Sequence, residues 1–251
     1  MTNSVFRNAL LACATHAGSA FFCASTNAQN TSEVGLGIGA TNYRGEIAPN
    51  YIFENNRPAF TAFYRRDISV PVTLRGGFMA GFLRAADGNA TGENNSVPPL
   101  PAYRQANIKG NVMEASAVME YNFLDYHHRT DKIHFTPYLF MGIAAFYTNV
   151  TTVSNNQALV GTFNREGATF GFAIPAGVGF KYALSEHLNL GFEIGARKTF
   201  TDQLDHLAKQ DPLLVNPHDQ DWYYYNGFSL SYTFYKIRCP DLYKDNKKLL
   251  K

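Results

Sequence analysis

The sequence predicts an all-β fold, an eight-stranded antiparallel transmembrane β-barrel, in a chain of 251 residues. Three observations predict it. Eight segments alternate apolar residues with small or polar ones, as strands with two chemically different faces do. The links between these segments are alternately long and short. Charged residues make up only 17% of the chain, below the roughly 25% usual for soluble domains, whereas tyrosine and phenylalanine are abundant.

The two-residue period is clearest in the first segment, where glycines separate Val34, Leu36 and Ile38. The predicted strands are residues 33–42, 58–67, 71–84, 110–123, 134–148, 169–183, 188–200 and 221–235. The apolar faces of the seven later strands carry, in order, Phe60 and Tyr64; Leu74, Phe78 and Phe82; Met113, Met119 and Tyr121; Leu139, Met141 and Ile143; Phe172, Val178 and Phe180; Leu190, Phe192 and Ile194; and Phe228, Leu230 and Tyr232. A membrane strand needs only about 9 to 11 residues, so each segment is long enough.

The apolar face is aliphatic at mid-strand and aromatic near the strand ends, for example at Tyr64, Tyr121, Tyr182 and Trp222. Aromatic side chains at both ends of an apolar band are typical of the lipid interface of membrane barrels. Closure is expected because lipid cannot hydrogen-bond the open edge of a sheet.

The lengths of the links indicate an orientation. The long links are residues 43–57, 85–109, 149–168 and 201–220. The shorter links lie around residues 68–70, 124–133 and 184–187. Barrels of the OmpA/OmpX-like kind have long extracellular loops and short periplasmic turns, so we expect a multi-pass β-barrel in a bacterial outer membrane.

The chain divides into three predicted parts. Residues 1–28 form a signal peptide, with Arg7 before an apolar stretch and a small-residue cleavage site at Thr26-Asn27-Ala28. Residues 29–235 form the barrel, and residues 236–251 a periplasmic tail. Lipid attachment at Cys13 is the alternative, but the apolar core before it is shorter than the usual 7 to 15 residues.

Charged residues on the small and polar face point into the predicted barrel. They are four anions and four cations: Glu33, Glu114, Glu120, Glu193, Arg65, Arg75, Lys181 and Arg197. Eight strands enclose a space just wide enough for side chains, and an unpaired buried charge is costly. We therefore expect a paired charge plug and no open pore; the alternative is a proton or ion path.

No residue pattern indicates catalysis or ligand binding. No nucleophile, base and acid occur at a recognisable spacing, so the chain is not expected to be an enzyme. His127 and His128 in a turn are interpreted as solvated residues, not metal ligands. The formal net charge of +2 is too small to indicate nucleic-acid binding. No small-molecule substrate, metal or cofactor is expected either.

Cys239 follows the last strand and is the one cysteine left after removal of the signal. Its position places it in the oxidising periplasm. Two interpretations stay open: an unpaired thiol in the tail, or a disulfide to a periplasmic partner.

Several motifs resemble the PorG family, the outer-membrane barrel of the type IX secretion system of Bacteroidota, which serves protein secretion and gliding motility. They are Glu33-Val34-Gly35-Leu36-Gly37, Asn42-Tyr43-Arg44-Gly45-Glu46, Phe63-Tyr64-Arg65, Phe135-Thr136-Pro137-Tyr138-Leu139-Phe140-Met141-Gly142, Ile174-Pro175-Ala176-Gly177-Val178-Gly179-Phe180-Lys181-Tyr182, Asn189-Leu190-Gly191-Phe192-Glu193, Gly195-Ala196-Arg197-Lys198-Thr199-Phe200-Thr201-Asp202-Gln203-Leu204-Asp205 and Asp221-Trp222-Tyr223. Together they cover most of the mature chain.

The resemblance implies a non-catalytic role. Such a barrel would anchor the periplasmic ring of the PorK lipoprotein and PorN to the outer membrane, and a bonded Cys239 would fit that role. Two alternatives remain: a general OmpA/OmpX-like surface barrel acting through its long loops in adhesion or envelope integrity, and a lipid-modifying barrel enzyme.

Overall fold

A computed structural model of the chain describes residues 31–45, 47–48, 51–89, 96–126, 134–159, 165–200 and 221–235. Within these residues, eight antiparallel strands form a closed barrel in which each strand pairs with its neighbours in sequence and β1 pairs with β8. The strands are β1 (Thr31–Arg44), β2 (Arg57–Asp67), β3 (Val72–Ala86), β4 (Ala106–Asn122), β5 (Phe135–Ser154), β6 (Arg165–Ala183), β7 (Leu188–Thr199) and β8 (Trp222–Tyr235). The predicted fold class is confirmed.

Strands β4, β5 and β6 are longer than predicted at the end where the long loops lie. The predicted link 149–168 is wrong in extent, because β5 continues to Ser154 and β6 begins at Arg165. Towards the long loops the chemistry of the two faces is exchanged: Phe146 and Val150 are buried inside, while Asn149 is exposed outside. A strand predicted from its apolar outer face therefore ends too early.

Two of the short links, β2–β3 and β6–β7, are tight turns. The amide of Ile68 donates to the carbonyl of Val72 at 2.9 Å, and the amide of Leu184 donates to that of Leu188 at 2.9 Å. The long link between β3 and β4 contains a six-residue helix, α1 (Pro99–Arg104). Among the described residues, no helix has the length and hydropathy needed to cross a membrane.

Inward glycines let neighbouring strands and side chains approach closely. A Cβ atom added to Gly177 on β6 would lie 2.2 Å from the Ile194 carbonyl oxygen and 2.8 Å from Phe140 Cε1. Real Cβ atoms are not found so close to a backbone oxygen. The glycine is therefore required by packing at this point of the wall.

Three predicted features lie outside the described residues: the signal peptide at 1–28, the long link at 201–220, and the tail at 236–251 with Cys239. The turn residues His127 and His128 also lie outside them.

Candidate functional site

The candidate site is the barrel interior, where the structure brings together the eight charged side chains identified in the sequence. Seven of them are buried, and the side chain of Arg75 is only 10% exposed. They project from six strands, because every second residue of a strand faces the same side. The register of the strands thus places the eight charged side chains in the interior. The contacts among these side chains determine what the interior can do.

Glu120 on β4 is the centre of this network. Its Oε1 atom lies 3.1 Å from Nε of Arg65 and 3.1 Å from Nε of Arg75. Its Oε2 atom lies 2.6 Å from Nζ of Lys181. One buried carboxylate therefore faces three cations, which come from β2, β3 and β6. Of these strands only β3 is hydrogen-bonded to β4, so the ion pairs also connect β2 and β6 to β4 across the interior.

A second centre lies at Glu193 on β7. Its carboxylate pairs with Arg75 and, at 3.3 Å, with Nη2 of Arg197. Nε of Arg197 then lies 3.4 Å from Glu114 Oε2. Because Arg75 also contacts Glu120, the ion pairs form one connected chain along the barrel axis.

Glu33 on β1 ends this chain on the side of the short turns. Nη1 of Arg65 lies 3.5 Å from its Oε2 atom, and Tyr126 donates to Oε1 at 2.8 Å. Asn189 and Ser231 also donate to this carboxylate, each at 3.1 Å. Burial and the Glu33 carboxylate raise the pKa of Tyr126 well above its ordinary value, so the phenol stays a neutral donor.

Inward aromatic rings separate and cover the charges. Lys181 Nζ lies 4.8 Å from the ring centroid of Tyr138, and the Arg65 guanidinium lies 4.2 Å from that of Phe63. Tyr223 donates to Glu114 Oε2 at 2.7 Å. Sequence reasoning missed Tyr138 and Tyr223 as interior residues, although continuing the strand register would have found both. Cation–π contacts of this kind are worth up to about 2 kcal/mol when desolvated.

The interior changes character towards the long loops, where it is mainly apolar. Buried side chains from the strands, the β1–β2 loop and the β5–β6 loop form one cluster there. Its members are Tyr43, Ile47, Ala48, Ala59, Met79, Leu83, Ala85, Ala106, Ile108, Val112, Phe146, Val150, Leu159, Ala173, Tyr223 and Tyr225. The sequence prediction of a charge plug is therefore incomplete, because an apolar layer continues the filling.

Little free space remains inside. A cavity of about 40 Å³ lies at mid-barrel between Arg75, Glu114, Glu193, Arg197 and Tyr225. A water needs at least about 10 to 15 Å³ measured in this way, so the cavity holds a few waters at most. The charge network and the aromatic rings occupy the described interior on both sides of this cavity.

The outside of the barrel is apolar. Leu74, Phe78 and Phe82 on β3 are each about half exposed, and Arg84 is the next outward residue. This belt, residues 74–82, matches the about 9 to 11 residues that a membrane strand needs. An apolar outside, interfacial tyrosines and a filled polar inside are the properties of an outer-membrane barrel. The predicted localisation in the outer membrane follows from this surface.

Among the described residues, no group of three His, Cys, Asp or Glu side chains has an arrangement that could hold a metal ion. Cys239, the sequence candidate for a bond to a partner, lies outside the described residues.

Comparison with solved structures finds barrels that share the architecture at low identity. Ail of Yersinia pestis is 10% identical, over 82% of this chain and 100% of that one, with a TM-score of 0.44. Neisserial surface protein A is 9% identical, over 81% and 97%, with a TM-score of 0.46. The outer membrane protein OprG of Pseudomonas aeruginosa is 12% identical, over 83% and 97%, with a TM-score of 0.42.

Sequence comparisons give a family. No curated protein sequence matches the chain. A family profile described as a domain of unknown function, DUF6089, matches residues 19–241. Since this match includes every strand of the barrel and most of the chain, the protein belongs to the DUF6089 family.

Proposed function

We propose that this barrel is a non-catalytic component of the type IX protein secretion machinery that anchors a periplasmic ring of PorK and PorN to the outer membrane. The observation that carries the proposal is the filled interior. Ion pairs, aromatic rings and an apolar layer occupy it, and about 40 Å³ remains at mid-barrel. A barrel without a usable lumen acts through its rims. The motifs resembling the PorG family suggest that the periplasmic rim is the one that binds a partner.

The rim with the short turns offers a surface for such a partner. Ile68, Val70 and Leu184 are exposed at the tips of two turns. Exposed apolar side chains that protrude beyond the membrane are suited to docking another protein. β8 ends at this rim with Tyr235, and Cys239 and the basic tail come after it in the sequence.

Co-purification tests the proposal. An affinity tag placed within residues 90–95, on the rim of the long loops, leaves the periplasmic side free. PorK and PorN should co-purify with the tagged chain from detergent extracts of a strain that carries the system. Val70→Asp together with Leu184→Asp should reduce their recovery at least several-fold. Phe53→Asp, at a side chain 80% exposed on the opposite rim, is the matched control and should leave recovery unchanged.

Absence of both ring proteins from the extract of the unmodified chain would refute the anchor. Cys239→Ser supplies a separate arm: a partner band that disappears on reduction, and is absent in the variant, identifies an intermolecular disulfide. If the band is unaffected by either change, the thiol has no such partner.

A second candidate is a surface barrel that acts through its long loops in adhesion or envelope integrity. It is favoured by an ion pair within the β3–β4 loop, where Nε and Nη2 of Arg104 contact both carboxylate oxygens of Asp87 at 2.9 and 2.7 Å. This pair is buried and fixes α1 over the barrel end. A deletion strain with normal secretion and altered surface binding would favour this candidate.

A further inference from the structure

Two cations face each other on the outside of the barrel, just beyond the apolar belt. Arg84 on β3 and Lys109 on β4 are register partners, and both side chains are exposed. Like charges directly opposite on neighbouring strands destabilise a sheet. Neither residue has an ion pair or hydrogen bond to any other part of the chain that the structure describes. Within the part of the chain that the structure describes, no ion pair compensates this repulsion, so a bound anion would relieve it.

On β4 and β5, the residues beside the two cations add hydrogen-bonding groups and no negative charge. Asn111 pairs with Asn149, and Lys109 pairs with Thr151, so the three polar residues lie on the outer face beside Arg84 and Lys109. We call Arg84, Lys109, Asn111, Asn149 and Thr151 the donor patch. Along the row of register partners, the described carboxylate next to this patch is Glu166. It lies beyond Thr151, about 10 Å from Lys109 at two strand spacings.

The surface immediately below the donor patch is apolar. Phe82 is the register partner of Asn111, and Met113 is that of Tyr147; all three large side chains, Phe82, Met113 and Tyr147, are about half exposed. A ligand that fits both parts has an anionic group at the level of Lys109 and a hydrocarbon chain directed towards the membrane centre. That is the form of a membrane lipid and not of a soluble anion.

The other described cations at this end of the barrel differ in having partners. Lys198 Nζ lies 5.6 Å from the ring centroid of Trp222, and Arg44 donates to the hydroxyl of Tyr224 at 3.1 Å. The uncompensated pair is thus a local property of β3 and β4. We propose that the donor patch binds the phosphate group of a lipid in the outer leaflet, with the lipid chains lying against Phe82, Met113 and Tyr147.

Quenching by brominated lipids tests this directly. The chain contains a single tryptophan, Trp222, which lies on the other side of the barrel on β8. Phe82→Trp in a Trp222→Phe background puts the reporter beside Arg84. The protein is reconstituted into phosphatidylcholine vesicles containing either dibrominated phosphatidic acid or dibrominated phosphatidylcholine. The proposal predicts that phosphatidic acid associates with the reporter several-fold more strongly, and that added salt weakens the preference.

Arg84→Gln together with Lys109→Gln should bring the relative association close to one. The native Trp222 reporter is the control, since its own ratio should not change with that double substitution. Both substituted side chains are exposed, so the barrel should fold, which heat-dependent electrophoretic mobility verifies. Equal quenching by the two lipids, or a preference that survives the double substitution, would overturn the proposal. Displacement by inorganic phosphate alone would also overturn it, because the site would then bind a soluble anion.

Discussion

Nε of Arg65 lies 3.1 Å from Oε1 of Glu120, and this ion pair connects β2 to β4 across the inside of the barrel. The two strands share no backbone hydrogen bonds, since β3 lies between them. Side-chain pairs of this kind brace the wall from within. The interior is therefore a structural element in its own right, and its removal should have a measurable cost.

Glu120→Gln should destabilise the barrel strongly. The substitution leaves Arg65, Arg75 and Lys181 around a neutral amide in a water-poor interior. Breaking a buried ion pair on one side costs about 3 to 5 kcal/mol. The free energy of unfolding, measured by urea titration in lipid vesicles, should fall by that amount. Glu166→Gln, at an exposed residue of β6, is the control; equal midpoints for the two variants would show that the pairs do not stabilise the wall.

Tyr126→Phe should have a smaller effect on the same scale. It removes the 2.8 Å hydrogen bond to Glu33, and hydrogen bonds to charged groups are worth about 1.5 to 3 kcal/mol. Tyr121→Phe removes a hydroxyl from a tyrosine on the outer face of β4, where the side chain is exposed, and should be nearly neutral. A loss of stability that is equal in both variants would contradict the arrangement around Glu33.

Gly177→Ala and Gly76→Ala should differ sharply although the chemical change is the same. A Cβ at Gly177 would collide with the backbone of β7, whereas a Cβ at Gly76 on the lipid side meets nothing within 4 Å. Overpacking of this kind costs about 1 to 3 kcal/mol. Folding yield and the free energy of unfolding should fall for Gly177→Ala only. A stable Gly177→Ala barrel would show that β6 and β7 are further apart than described.

Asp87→Ala should expose the β3–β4 loop to trypsin. In the unmodified protein the Arg104 guanidinium is buried against Asp87, so cleavage after Arg104 should be slow. The variant leaves a buried cation without its carboxylate, and opening of the loop relieves that cost. Asn89→Ala, which removes a 3.0 Å contact with Asn55, is the control. Similar cleavage rates at Arg104 in all three proteins would contradict a role for the ion pair.

The sequence predicted the barrel and the inward position of its charges because one rule, a period of two, governs both. Glu193 and Arg197 are four residues apart on β7, so both side chains point to the same side of the sheet. The ends of β5 and β6 were predicted less well, because towards the long loops apolar residues such as Phe146 and Val150 lie on the inner face of the barrel. The two-residue period continues there, but the apolar residues lie on the inner face and the polar residues on the outer face.

The pairing of the charges could not be predicted from the sequence. Apart from Glu193 and Arg197, the paired residues are far apart in the chain, and three cations converge on Glu120 only through the stagger of the closed sheet. The inward aromatics were missed for a different reason. In Trp222-Tyr223-Tyr224-Tyr225 both faces carry aromatic rings, so composition does not distinguish Tyr223, which is buried, from Tyr224, which is partly exposed.

Conductance across a planar lipid bilayer is the most direct test of the sealed interior on which the proposed role at the rims depends. The purified, folded barrel should insert without producing a stable ohmic current at moderate voltage, because ion pairs and the apolar cluster fill its axis. Steady channels of reproducible conductance from the unmodified protein would contradict the sealed interior. Such channels would indicate that this protein functions in transport through its lumen.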